Sequence, residues 1–394
     1  MKRPEGEARG VDTSRSENGE VTGEPAHGEA AHGAVPARYV TADLAGIGGF
    51  IKERAEDFLV DEQPLYQPSG DGEHVYLFVQ KRGLSTLEMV DVIAGHFKVP
   101  RGAVGFAGMK DKKAITRQVV SVHVPGKKPE SFPMLEHERI EILWTDLHAN
   151  KLRPGHLKGN RFSIRVRGVE ATAVLRAKRV IDALEVRGVA NRYGEQRFGM
   201  IERNHIVGAK MIAGDDEGAV RAMLGPSARF PEVNAEARAA FEAGKFAEAE
   251  TLMPISARAE KHVLRQLAKG KSARQAIGSL DERVRKFFVS AAQSAVFNAV
   301  LDARIGEGTW DRLIEGDVAM KLPTLAPFDV TREELAVDGE ESLAARLARF
   351  EVSASGPMWG VSMRRASGRA GEIEEAALAG IGLDPAKIEA FAKR

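Results

Sequence analysis

One carboxylate set among lysines is the group in this sequence best suited to chemistry. Asp111 sits in the stretch Gly105-Phe106-Ala107-Gly108-Met109-Lys110-Asp111-Lys112-Lys113-Ala114. Glycines let a backbone turn sharply or come close to a ligand. Positive charge around a carboxylate can draw a polyanion toward a group able to act as nucleophile or base. The element that must position it follows directly. Gln118 to Val124 alternates as a strand, with Val120, Val122 and Val124 on one face. Asp111 is therefore expected in a loop at the mouth of a sheet. A solvated Lys-Asp-Lys turn would look the same in isolation, so the rest of the chain has to decide.

The chain has 394 residues, enough for two domains and a tail, and at 43% hydrophobic and 29% charged it can bury a sizeable core. It has no cysteine, which excludes a disulfide scaffold, thiol catalysis and Cys-ligated zinc or iron–sulfur sites. No apolar run is long enough to span a bilayer, and the N-terminus lacks the apolar core of a signal peptide. A cytoplasmic protein is expected. The net charge of +1 hides an asymmetry: Arg101 to Met200 carries 20 Lys+Arg against 10 Asp+Glu, so the remainder is net acidic. A basic segment around Asp111 suggests a polyanionic partner, with nucleic acid first. There is no Walker-type phosphate loop, no G-x-S-x-G elbow and no metal-ligand spacing among the histidines. What is left points to a reaction on nucleic acid that uses no cofactor and no metal.

Residues 1–40 are poor in large apolar side chains and are expected to form a disordered tail. Gly49 to Glu62 reads as a strand, a turn at Arg54 to Asp57 and a second strand. His74 to Gln80 alternates, with Val75, Leu77 and Val79 on one face. Ser85 and Glu88 make a capping box for a helix with the apolar stripe Leu87, Val90, Ala94 and Phe97. Ile140 to Trp144 is a further strand, followed by a basic turn, Lys151 to Asn160. In Arg161 to Arg167, Phe162, Ile164 and Val166 face one way. Arg161, Ser163, Arg165 and Arg167 face the other, either as a surface for RNA or as the guard of an edge strand. A helix over Glu170 to Val186 should turn Val174, Ala177, Ile181 and Leu184 inward. The glycine-punctuated loop Gly188 to Gly199 offers Asn191, Tyr193, Gln196 and Arg197, side chains that read, stack on or pair with a nucleotide. Residues 200–286 read as mainly helical. Phe287 to Arg304 reads as an uninterrupted helix in which Gln293 and Asn298 are polar exceptions.

Several of these stretches, in this order, resemble the TruD family of tRNA pseudouridine synthases. They are Ala55-Glu56-Asp57-Phe58-Leu59-Val60-Asp61-Glu62, Gly72-Glu73-His74, Lys81-Arg82-Gly83 and the Asp111 loop itself. Gly159-Asn160-Arg161-Phe162 is similar to the family's G-N-x-F element, and Asn191 to Gly199 to its N-x-F-G-x-Q-R-F-G motif. Ser290 to Asn298 is similar to its later helix. The resemblance implies an α+β fold: a mixed, mostly antiparallel-sheet catalytic domain of pseudouridine synthase type over residues 41–305, with helical additions, and a small inserted α/β domain over 306–394. It implies an RNA-modifying isomerase acting on uridine 13 of tRNA, as a monomer without cofactor. Asp111 would be the catalytic carboxylate, as nucleophile or as base, and Lys52 a basic active-site residue. Asn191, Tyr193 and Asn160 would meet the substrate. Tyr193 stands where the family has Phe. The family's closing strands are expected beyond Arg394, and without them the alternative is an impaired RNA-binding protein.

Overall fold

The computed structural model describes residues 38–393, so the tail expected over residues 1–40 falls almost wholly outside it. Two compact units emerge, one from Thr41 to Gly188 and one from Val189 onward that also takes in the described residues before Thr41.

The first unit is built on one sheet. Its strands are β1 (Phe58–Pro64), β2 (His74–Arg82), β3 (Val104–Phe106), β4 (Ile115–His123), β5 (Ile140–His148) and β6 (Leu157–Ile164), with α1 (Thr86–Phe97) and α2 (Ala173–Arg187). The order is β5-β2-β4-β1-β6, with β3 on β4; only β1 and β4 run parallel. Alternation fixes the register, because a slip of one residue would turn every apolar side chain to the wrong face. Val75, Leu77 and Val79 of β2 lie beside Val120 and Val122 of β4, all buried under α1. Ser85 caps α1 as its sequence requires: its hydroxyl accepts from the Glu88 N–H while the Glu88 carboxylate accepts from the Ser85 N–H. The buried stripe is Met89, Val90, Ile93, Ala94 and Phe97, whereas Leu87 is 46% exposed. Leu87 lies to one side of the buried face, which begins with Thr86 at the first helical position.

Among the described residues β6 is the outermost strand and pairs with β1 alone, and its expected inner face is left exposed. Phe162 is 53% exposed, with its ring in an edge-to-face contact with Phe58. Val174 and Ile181 of α2, expected inward, are likewise exposed. The first strand expected at Gly49 is only a bridge between Phe50 and Arg167. A 3-10 turn at Ala55–Asp57 follows it.

The second unit contains α3 (Asn204–Ala213), α4 (Asp216–Leu224), α5 (Ala235–Glu242), α6 (Phe246–Leu252), α7 (Arg258–Ala268), α8 (Ala273–Gly278) and the 25-residue α9 (Glu282–Gly306). After α9 come β7 (Val318–Lys321), β8 (Ala326–Asp329), α10 (Arg332–Leu335), α11 (Leu343–Ala348), β9 (Val352–Ala354), α12 (Gly368–Gly380) and α13 (Pro385–Ala392). The three short strands form their own antiparallel sheet, β8-β7-β9, over Leu313, Ala319, Val330, Leu343 and Val352. Leu378 and Ile388, from α12 and α13, instead join a core with Ile212 of α3 and Val296 of α9.

Asp57 ties the entry turn to the end of the sheet. Its buried carboxylate accepts from Arg167 Nε at 2.7 Å and a terminal Arg167 nitrogen at 2.8 Å, and from the Arg54 N–H at 3.1 Å. The Arg167 guanidinium holds the Asp57 carboxyl below its ordinary value of 3.8. A depressed carboxylate stabilises the fold above its unfolded pKa and loses that contribution as pH falls through the folded one. Arg167→Ala is expected to lower the melting temperature at pH 7 by several degrees. The gap from wild type should close as pH falls well below 4, which thermal melts across that range will measure.

Candidate active site

The Asp111 loop runs from the end of β3 to the start of β4, and buried side chains from three neighbouring elements hold its backbone. At its root Gly105 is required by contact: a Cβ there would lie 2.3 Å from the Leu152 carbonyl oxygen and 2.6 Å from Ser121 Oγ. Thr86 Oγ1, at the start of α1, accepts from the Lys110 N–H at 2.8 Å, and Gln118 Nε2 donates to the Gly108 carbonyl at 3.3 Å. Lys81, fully buried at the end of β2, donates to the carbonyls of Leu84 at 2.6 Å and of Asp111 itself at 2.9 Å. Lys110 turns inward to Glu62 of β1 at 2.5 Å, with both side chains almost completely buried. The other Glu62 oxygen accepts from the Val119 N–H of β4 at 3.1 Å.

The charge around Asp111 is arranged differently from the expectation based on neighbouring lysines. Lys110 belongs to Glu62, and Lys112 reaches Glu88 at 2.8 Å. Lys112 together with the Ser85 cap holds the Glu88 carboxyl down at about 2. The cation on the Asp111 carboxylate is Lys52, 59 residues away in sequence, whose Nζ lies 2.6 Å from Oδ1. Lys52 has a left-handed backbone, φ +61°, uncommon for a residue with a side chain. Its ammonium also sits 4.0 Å from the centre of the Phe58 ring, within cation–π range. The Asp111 side chain remains 42% exposed, so a substrate atom can reach it. A half-open carboxylate, fixed through its backbone and oriented by one ammonium, is equipped to attack a carbon or to take a proton.

Residue-by-residue reading missed Lys81, Glu62 and Gln118 as loop supports, although the strand pattern carried a signal. Lys81 is in phase with the buried Val75, Leu77 and Val79 of β2, Glu62 with Phe58 and Val60 of β1, and Gln118 with Val120 and Val122 of β4. A polar residue in an apolar phase must find a buried partner.

The remaining expected residues fall into separate groups. In the first unit Asn160 is exposed on β6, in register with Glu62. Arg165 donates its backbone N–H to the Asp57 carbonyl at 2.8 Å and leaves its side chain exposed, whereas Arg167 is committed to the Asp57 carboxylate. In the second unit the motif loop is pinned to α9. Asn298 Oδ1 accepts from the Tyr193 N–H at 3.0 Å and Asn298 Nδ2 donates to the Tyr193 carbonyl at 2.9 Å. Arg192 pairs with Asp302, and Arg197 reaches Ser290 Oγ at 3.2 Å. The Tyr193 ring meets the edge of Phe297 at 5.5 Å, and the Arg197 guanidinium lies 5.3 Å from its centre. Gln293, the other polar exception of α9, donates to the Trp359 carbonyl at 2.7 Å. Asn191 and Gln196 are exposed. Among the described residues no group of three or more His, Asp or Glu is placed to hold a metal ion, and no helix is long and apolar enough to cross a membrane.

A family model described as tRNA pseudouridine synthase D (TruD) matches residues 34–393. The tRNA pseudouridine synthase D of Geobacter metallireducens is 42% identical over 354 residues, which cover 89% of this chain and 85% of that protein. The protein of that name from Thermus thermophilus is 34% identical over 362 residues, 91% of this chain and 81% of the relative. Among solved structures, one from Methanosarcina mazei described as a tRNA pseudouridine synthase D superposes with a TM-score of 0.73 at 24% identity. It covers 89% of this chain and 82% of its own, a likeness of fold.

Lys81 offers a test of the loop's support. Burial pushes its ammonium from an ordinary 10.5 down to about 8, against the pull of the nearby Asp111 charge. Between those values the unfolded chain binds the proton and the folded one does not, so this group makes stability rise with pH across that window. The neutral amine still has two hydrogens for its two carbonyl partners. Wild type is therefore expected to gain stability over Lys81→Met between pH 8 and 10, measured as the difference between their denaturation midpoints. A flat difference would show that Lys81 stays charged in its pocket.

Proposed function

The chain belongs to the TruD family of tRNA pseudouridine synthases, and on that premise we propose that Asp111 works at the ribose of the target uridine, which we take to be uridine 13. The protein is an RNA-modifying isomerase that converts uridine to pseudouridine in tRNA. The alternative of a non-catalytic RNA-binding protein is not favoured by the relatives, which are named as synthases.

The reaction breaks the bond from C1′ to N1, turns the uracil, joins C5 to C1′ and moves one proton from C5 to N1. No atom is gained or lost, so the reading includes neither metal nor cofactor, and it takes the enzyme as a cytoplasmic monomer. The uridine must leave its stack to be reached, at a cost of a few kcal/mol. The observation that carries the reading is the contact between Asp111 and Lys52 on a loop held from beneath. Lys52 orients the carboxylate and balances its charge in the resting enzyme. As the carboxylate attacks C1′ or takes a sugar proton, its charge is consumed, and the freed ammonium can turn to the departing base or to a phosphate. Asn191 and Tyr193 are assigned to the target nucleotide from their motif, Tyr193 by offering a ring to the uracil. Asn160, Arg165, Gln196 and Arg197 are assigned to the RNA around it. Arg167 leaves that set, since its guanidinium is held by Asp57.

Asp111→Asn is expected to abolish pseudouridine formation while tRNA affinity stays within a few-fold, because a carboxylate offers no attraction to a phosphate backbone. Single-turnover assays beside filter binding will separate the two quantities, and turnover near the wild-type rate would remove Asp111 from its role. Lys52→Met should slow turnover at saturating tRNA with a smaller change in affinity.

For Tyr193 the useful part is the ring face, worth about 1–3 kcal/mol per stacked base. Among the described residues its hydroxyl finds only Met358 sulfur, at 3.6 Å. Tyr193→Phe is therefore expected to be nearly neutral, and Tyr193→Leu to lose about 10-fold or more in single-turnover rate. A Phe variant as slow as the Leu variant would give the hydroxyl, rather than the face, the working part.

A further inference from the structure

The part of the basic turn that precedes β6, Lys151 to His156, has no assigned part in the chemistry at Asp111, yet it builds a second site. Strand register places it at the far end of the sheet. Asp111 precedes Ile115 at the start of β4, whereas His123 at its other end pairs with His74, which pairs in turn with His148 of β5. Eight residues of strand separate Ile115 from the His123–His74–His148 row, roughly 26 Å at about 3.3 Å each, and the turn comes nearer to the Asp111 loop only where Gly155 meets Ala107. A uridine held at Asp111 cannot reach across that distance, but a folded RNA attached to it can.

At that far end lies an open cleft of about 520 Å³ whose walls include Tyr66, His148, Lys151, Arg153 and His156, with no carboxylate among the lining residues. The Tyr66 ring is stacked on His148 at 5.2 Å and 25°, and its hydroxyl is hydrogen-bonded to His156 Nδ1 at 3.0 Å. The turn is held by the backbone: the Leu152 N–H donates to Ser121 Oγ at 3.0 Å, and the Gly155 N–H to the Ala107 carbonyl at 2.8 Å. Tyr76 closes it from below by donating to the Asn150 carbonyl at 2.9 Å. Lys151 is steadied by the Gly102 carbonyl. Arg153 is exposed and makes no side-chain hydrogen bond or ion pair among the described residues. A second recess, of about 380 Å³, shares Lys151 and Arg153 with the first. Stacked aromatic rings beside two cations, in a rigid cleft without acid, match a nucleotide: base or ribose against the rings, phosphate on Lys151 and Arg153.

We propose that this cleft is a second RNA subsite, taking a phosphate and its nucleotide from a part of the tRNA remote from the reacting uridine. It rests on the reading of tRNA as substrate, but its test uses binding alone. Dissociation constants are measured across salt for intact tRNA and for a short hairpin carrying the target uridine, with wild type, Arg153→Glu and the double variant Lys151→Ala/Arg153→Ala. Melting curves certify that each variant is folded, and Arg153→Lys serves as the conservative rescue. Intact tRNA should bind about 10-fold or more weakly to the double variant, with a salt slope lower by about two. The hairpin should bind all of them alike, and Arg153→Lys should recover most of the loss. Unchanged tRNA affinity, or an equal loss on the hairpin, would overturn the subsite. Displacement of intact tRNA by millimolar 5′-UMP in wild type but not in the double variant would identify the occupant as a free nucleotide, which also overturns it. Wild type that binds tRNA through the cleft yet forms no pseudouridine would refute the catalytic reading and leave the subsite standing.

Discussion

The contact between Glu62 and Lys110 is the interaction on which the site depends. It joins β1 to the loop in front of β4, and through the Val119 N–H it joins β1 to β4 itself. These are the two parallel strands at the centre of the sheet. Two charges removed from water are costly unless each finds its partner with good geometry and the remaining lone pairs are used. Here they are: one carboxylate oxygen takes the ammonium and the other a backbone N–H. The loop cannot shift outward without exposing one buried charge to an empty pocket. Asp111 is thus held from below through its backbone, and its carboxylate, paired with Lys52, stays half-exposed to substrate.

The same division between support and contact recurs in the second unit. Asn298 takes both backbone groups of Tyr193 and leaves the ring to its surroundings. Asp302 and Ser290, on the same helix, hold Arg192 and Arg197. Three polar side chains on one long helix therefore organise a loop that has little regular structure of its own. In both units a rigid element supplies hydrogen bonds to the backbone of a segment that presents reactive or stacking side chains. This is how a site can be both ordered and open.

The sheet was largely legible because its alternation is strict: Val75, Leu77 and Val79, then Val120 and Val122, could only share a buried face. The Ser85–Glu88 cap was legible because capping is local. Leu87 was misread because it lies at the margin of the apolar stripe, about 90° from the centre of the buried face that Thr86, Met89, Val90, Ile93, Ala94 and Phe97 share. Phe162 and Ile164 alternate well, yet alternation cannot say whether a strand is central or outermost. The lysines around Asp111 show the limit most clearly. Adjacency suggested a cluster, but Lys110 and Lys112 are each drawn away by a carboxylate distant in sequence, and Lys52 arrives from 59 residues upstream. The resemblance to a family supplied Lys52; periodicity could not have done so. Lys81, Glu62 and Gln118 were visible only as polar residues in the buried, apolar phase of their strands.

Lys52 carries a last consequence through its backbone. A left-handed conformation suits glycine or asparagine, and a long side chain there is a standing local disadvantage to the fold. Selection for stability alone would drift away from lysine at this position. A right-handed or extended backbone would start the side chain in another direction and carry the ammonium away from Asp111. The residue type and the unusual torsion thus form one heritable unit, each useless without the other. Among distant relatives, loss of one should be accompanied by loss of the other.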